Sequence, residues 1–85
     1  MAKVEMYTKM GCPFCIRAKS LLKQKGVDVT DIPAAMNKEK RAEMRERSGG
    51  RNTFPQIFID GKHVGGCDDL FALENKGKLD ALLAA

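Results

Sequence analysis

Two cysteines separated by two residues are the side chains best suited to chemistry in this chain, in the run Gly11-Cys12-Pro13-Phe14-Cys15. A thiolate attacks a disulfide sulfur, and a second thiol nearby can resolve the mixed disulfide that forms, so this spacing suits thiol–disulfide exchange. Proline directly after Cys12 favours a helix start. Its missing N–H costs nothing in the first turn and its φ is already helical. Cys12 then falls at or beside the N-cap, with unpaired backbone N–H groups near its sulfur. The partial positive charge of that helix end favours thiolate over thiol. The shift matters, because a thiol with the ordinary value near 8.5 is only about 3% ionised at pH 7. Cys15 lies about one helical turn further on, within reach of a disulfide formed at Cys12.

The surrounding pattern predicts the elements that hold this pair. Residues 2–8 alternate through Val4 and Met6, a strand signal, and Lys9-Met10-Gly11 is the loop that follows. From Pro13 to Lys25, Phe14, Ala18, Leu21 and Leu22 recur on one face of an α-helix. Lys23 and Lys25 suit its last turn and Gly26 its end. Val27 to Ile32 alternates again, with Val27 and Val29 on one face, and Pro33 closes this second strand. Strand, helix and strand in succession make a parallel pair with a right-handed crossover. Asn37 to Ser48 reads as a helix capped by Asn37 and ended by Ser48-Gly49-Gly50, with only Met36, Ala42 and Met44 as a thin apolar face. Arg51 to Pro55 is an extended loop. Gln56–Ile59, Asp60-Gly61 and Lys62–Gly65 form a β-hairpin, since Asp-Gly satisfies a type I′ turn. A further helix through Leu70, Phe71 and Leu73 is capped by Asp68 or Asp69 and stopped at Gly77, and Leu79, Leu82 and Leu83 suggest a last helical turn or two. The order β-α-β-α-β-β-α gives an α/β protein with a four-stranded mixed sheet flanked by helices. With Cys-x-x-Cys beside a βαβ unit, this resembles the thioredoxin fold.

Composition narrows the function classes. A chain of 85 residues is expected to form a single domain, residues 1–85. The net charge is +4 with basic residues spread along the chain, and aromatics are only 6% with no Trp, so no nucleic-acid role is expected. A mild positive field suits small anions or acidic protein surfaces. No apolar run approaches the length that spans a bilayer, and Met1-Ala2-Lys3 does not begin a secretory signal. Three cysteines, two of them close together, argue against a secreted disulfide scaffold and for a reducing, cytoplasmic setting. No large apolar stripe is left over, so a monomer is expected. His63 reads as a surface strand residue. Cys67 and His63 lack zinc-finger spacing, so no metal is expected.

Three stretches together resemble the signatures of the glutaredoxins: Tyr7-Thr8-Lys9-Met10-Gly11-Cys12-Pro13-Phe14-Cys15, then Thr53-Phe54-Pro55-Gln56-Ile57-Phe58-Ile59, then Gly65-Gly66-Cys67-Asp68-Asp69-Leu70. They appear in the family's order and cover essentially the whole chain, and the closest likeness is to the small bacterial members of the dithiol (class I) branch. One departure is Phe14, where these dithiol proteins typically carry Tyr; the ring is kept and the hydroxyl lost. Cys15 separates the chain from the monothiol branch, which handles iron–sulfur clusters.

The resemblance implies a glutathione-dependent thiol–disulfide oxidoreductase that reduces protein disulfides and glutathione mixed disulfides. Glutathione is the reductant, and ribonucleotide reductase is a candidate recipient of the electrons. Cys12 is the nucleophile and Cys15 the resolving thiol. Pro55 matches the family's cis-proline, which leaves the Phe54 backbone free to pair with an extended ligand; an ordinary trans-proline is the alternative. Glutathione carries two carboxylates and an ammonium. By resemblance Lys9 and Arg41 meet its glycine carboxylate, with Arg45 a rival for Arg41 and a solvated face residue an equal alternative. Thr53 and Phe54 meet the cysteinyl backbone, with Phe14 and Pro55 beside them. Gly66, Cys67 and Asp68 hold the γ-glutamyl end at a helix start, where anions are favoured. Cys67 is read as a half-buried residue used through its backbone in preference to a regulatory thiol. Two other functions compete: a redoxin reduced by a flavoprotein reductase, and a cluster or metal carrier that uses Cys12 with glutathione.

Overall fold

In the computed structural model, which describes residues 2–84, the alternation at the start of the chain becomes an inner strand of the sheet. This strand, β1 (Val4–Thr8), is followed by α1 (Pro13–Gln24), β2 (Val29–Pro33), α2 (Lys38–Arg47), β3 (Gln56–Ile59), β4 (Lys62–Gly65), α3 (Cys67–Asn75) and α4 (Leu79–Ala84). The sheet order is β2-β1-β3-β4. β1 runs parallel to β2, with Val4 opposite Val29, and antiparallel to β3, with Met6 opposite Ile57. The β3–β4 turn has positive φ at Asp60 (51°) and Gly61 (79°), as a type I′ turn requires. Asp60 also holds the hairpin to the start of β1. Its N–H donates to the Lys3 carbonyl at 2.8 Å, and its carboxylate accepts from the Lys3 N–H at 2.8 Å.

Alternation divides the sheet's side chains between two cores. Val4, Met6, Ile57 and Ile59 pack with Ala18 and Leu22 of α1, Leu70 of α3 and Leu79 of α4. Tyr7 and Phe58 point the other way, to Met44 of α2 and to Ala34. The apolar face of α2 is thinner than its sequence suggests, since Met44 is its only buried residue and Met36 and Ala42 are exposed. Polar groups supplement it. The Arg47 guanidinium lies 4.1 Å over the Phe58 ring, donates to the Tyr7 hydroxyl at 2.9 Å and pairs with Glu5 at 3.0 Å. Tyr7 in turn donates to Glu43 at 2.7 Å.

Several sequence expectations shift. β2 begins at Val29 and includes Pro33; Val27 is instead buried in the turn after α1, its N–H on the Leu22 carbonyl at 3.2 Å. The buried face of α1 is Cys15, Ala18, Leu21 and Leu22, and Phe14 is turned out with 52% of its surface exposed. The last helical turns expected at Leu79, Leu82 and Leu83 do form, as the separate helix α4, so the order among the described residues gains an element: β-α-β-α-β-β-α-α. The N-cap of α3 is Gly66 and neither aspartate; Asp69, one turn in, reaches back to accept the Gly66 N–H at 2.9 Å. His63 is half-buried, its ring stacked 5.0 Å from that of Phe58.

Candidate active site

Cys12 ends the loop after β1 and is the N-cap of α1, in an extended conformation at φ −89°, ψ 111°. Its sulfur accepts from the Cys15 N–H at 3.4 Å. A cap sulfur thus takes the place that a hydroxyl or carboxylate oxygen fills in most helices. Both cysteines are free thiols and nearly buried, at 3% and 4% exposure. Burial pushes the Cys12 thiol up. Hydrogen bonds from the Cys15 thiol and from the backbone N–H groups of Cys15 and Phe14, with the charge of Lys9, outweigh it, and the net direction is down. Burial also pushes Cys15 up, the hydrogen bond it gives to Cys12 adds to this, and its thiol rises to about 11. One thiol is therefore prepared to ionise and the other to donate.

A cavity of about 280 Å³ opens next to this pair, lined by Phe14, Arg51, Thr53, Phe54, Pro55, Gly66, Cys67, Asp68 and Asp69. Three parts of the chain build it. The second residue of α1 supplies Phe14, the loop before β3 supplies Arg51 and 53–55, and the start of α3 supplies 66–69. The Phe54–Pro55 peptide bond is cis, and the Cys12 thiol faces the Phe54 carbonyl at 3.9 Å. The first backbone N–H groups of α3 have no partner inside the helix, so this wall favours an anion. Cys67 is buried within it; burial pushes its thiol up, against the nearby charge of Arg17.

The fold thus gathers Phe14, Thr53, Phe54, Pro55, Gly66, Cys67 and Asp68 around one hollow. It sets Lys9 and Arg41 outside that lining. Lys9 belongs to a neighbouring groove of about 250 Å³ that both Cys12 and Cys15 also line. Arg41 is half-buried, and its guanidinium donates at 3.4 Å to the Ala35 carbonyl and at 3.4 Å to the Asn52 side chain. Arg45, the rival, is exposed. Two lining residues were not expected from the sequence, Arg51 and Asp69, which face each other at 3.4 Å. Arg51 lies two positions before Thr53 in an extended segment, where alternate residues share a side, and Asp69 is three residues past the cap. Those spacings are the signals that could have marked them. Among the described residues no group of three or more His, Cys, Asp or Glu is arranged to hold a metal, and no helix is long and apolar enough to cross a membrane.

Comparison with known proteins points to one family. The glutaredoxin family model matches residues 4–64. Glutaredoxin 3 of Escherichia coli strain K12 is 59% identical over 83 residues, which cover 98% of this chain and 99% of that protein. The solution structure of a glutaredoxin from Brucella melitensis is 63% identical, with a TM-score of 0.84 over 98% of this chain and 89% of that one. The crystal structure of a buckwheat glutaredoxin–glutathione complex superposes with a TM-score of 0.86 at 30% identity, over 98% of this chain and 77% of that one. A Cys-x-x-Cys pair on a thioredoxin-like sheet, a thiol lowered at a helix cap and similarity along nearly the full length converge: this chain belongs to the glutaredoxin family and is a glutathione-dependent thiol–disulfide oxidoreductase.

Proposed function

We propose that the Cys12-Pro13-Phe14-Cys15 motif carries this chemistry, with Cys12 as the attacking thiolate and Cys15 as the resolving thiol. On a glutathionylated protein, Cys12 attacks the glutathione sulfur. A Cys12–glutathione disulfide forms, and the protein thiolate leaves and takes up a proton. The thiolate of a second glutathione attacks the glutathione sulfur on Cys12, giving glutathione disulfide and restoring the Cys12 thiolate. On a protein disulfide, Cys12 attacks first. Cys15 then loses its proton and attacks the Cys12 sulfur, forming the Cys12–Cys15 disulfide and releasing the reduced protein. Two glutathione molecules reduce that disulfide. The observation that carries this assignment is the Cys12 sulfur at the helix cap, accepting the Cys15 N–H at 3.4 Å beside the cavity.

The cavity is the glutathione site on this reading. Thr53 and the Phe54 backbone, next to Pro55 and Phe14, take the cysteinyl part. The α3 start at Gly66 and Cys67 takes the γ-glutamyl carboxylate, Asp68 takes the ammonium, and Arg51 adds a cation at the same end. Lys9 and Arg41 meet the glycine carboxylate where the ligand leaves the cavity. Cys67 serves through its backbone. Residues 1–85 act as one cytoplasmic, monomeric domain that passes electrons to protein disulfides, ribonucleotide reductase among them, without a metal. Amide shifts test the site. In the glutathione mixed disulfide of a Cys15→Ser variant, the largest changes are expected at Thr53, Phe54, Gly66, Cys67 and Asp68. Changes confined to the groove at Lys9, Lys19 and Asp31 would move glutathione to the other side of Cys12.

A further inference from the structure

We propose that Gln56 is a positioning residue that aims the Phe54 backbone at the ligand, and that His63 holds Gln56 in place. The inference rests on the reading of the cavity as a glutathione site. Gln56 opens β3, directly after Pro55, and is fully buried. A buried amide costs stability unless its groups are paired, and here they are. Its Nε2 donates to the Thr53 carbonyl at 3.0 Å and to Thr53 Oγ1 at 3.0 Å, while its Oε1 meets His63 Nε2 at 2.7 Å. The Thr53 carbonyl can only accept, so the NH₂ end of Gln56 must face Thr53 and the oxygen must face His63. The proton of the imidazole therefore sits on Nε2.

The anchor is packed against the sheet. His63 packs 5.0 Å from Phe58, its cross-strand partner, and Phe58 packs edge-on against Tyr7 at 5.7 Å. The segment it controls lies outside any helix or strand, residues 51–55. At its other end Ser48 Oγ accepts the Arg51 N–H at 3.1 Å and donates to the Arg51 carbonyl at 3.1 Å. In an extended chain successive carbonyls turn to opposite sides. Gln56 holds the Thr53 carbonyl, and the next carbonyl, that of Phe54, is the one that faces the Cys12 thiol at 3.9 Å. Gln56 touches neither sulfur nor cavity; it acts through Thr53 and Phe54.

Two Gln56 variants and one His63 variant test this. Gln56→Glu keeps the shape and, once ionised, cannot donate to Thr53; Gln56→Met keeps the volume and removes both donors. Loss of the buried hydrogen bonds to Thr53 is expected to lower kcat/KM for a glutathione mixed disulfide about tenfold, with the change in KM. The single-turnover reaction of reduced protein with dithiodipyridine, which has no peptide backbone to pair, is expected to stay within twofold. His63→Phe is expected to raise KM by less, because the bonds to Thr53 remain. In the unmodified protein, nitrogen shifts should report the Nε2–H tautomer of His63. A folded Gln56→Glu or Gln56→Met variant with unchanged KM overturns the proposal. So does an equal fall in both reactions, which is a merely structural effect, and so does the Nδ1–H tautomer. If the unmodified protein prefers dithiodipyridine and gains nothing from glutathione, the glutathione reading itself fails, and the inference with it.

Discussion

Cys12 and Cys15 share a helix start, yet their surroundings push their thiols in opposite directions. Both are buried, which opposes ionisation. Cys12 receives hydrogen bonds from two backbone N–H groups and from Cys15, while Cys15 gives its proton to that bond. Alkylation by iodoacetamide across pH, read by mass spectrometry, should give a Cys12 midpoint below that of an ordinary thiol. Cys15 should stay protected to about pH 11. Lys9→Gln removes a positive charge that favours the thiolate, so the Cys12 midpoint should rise. His63 offers a second titration. Burial, and then the charge of Arg51, push its imidazole below 6.5. The unfolded chain then holds more protons than the folded one just below pH 6.5. Stability should therefore rise with pH through that window, and the gain should be complete above 6.5. Urea unfolding at a series of pH values checks this, and a His63→Phe variant should lack that component.

At the scale of elements, the start of α3 is the tightest construction. Gly65 has φ +123°, and a Cβ there would overlap the Asp69 carboxylate that holds the Gly66 N–H. Gly65→Ala therefore has both a strained backbone and a displaced cap. It should destabilise the protein by roughly 2–3 kcal/mol and weaken glutathione binding, as thermal melts and glutathione titration would report. The α2 cap is ordinary by comparison: Asn37 accepts the Lys40 N–H at 3.0 Å, and Asn37→Ala should cost about 1 kcal/mol. The elements most legible in the sequence were those with a local cause. Pro13 marked the start of α1, Asn37 that of α2, and Asp60-Gly61 the hairpin. What the sequence hid depends on partners distant along the chain. The thin apolar face of α2 is made good by Arg47 stacking on Phe58 and pairing with Glu5. His63 is drawn inward by Phe58 and Gln56. Arg51 and Asp69 reach the cavity because the loop before β3 and the start of α3 meet there.

Across the whole molecule, a four-stranded sheet separates two small cores, and the candidate active site lies where α1, the loop before β3 and α3 converge. A chain of 85 residues has little core in reserve. Leu22 is fully buried in the larger core, and Leu22→Ala should cost about 2–5 kcal/mol, a large part of the stability of a domain this size. Guanidinium unfolding would measure it. The central claim, that Cys12 attacks and Cys15 resolves in a glutathione-fed cycle, is tested most directly by turnover. A glutathione mixed disulfide would be assayed with glutathione, glutathione reductase and NADPH, for the unmodified protein, Cys12→Ser and Cys15→Ser. The account predicts that Cys12→Ser is inactive and that Cys15→Ser stays active on this substrate while losing the reduction of protein disulfides. Activity in Cys12→Ser, or an unmodified protein inert with glutathione but reduced by thioredoxin reductase, would contradict it.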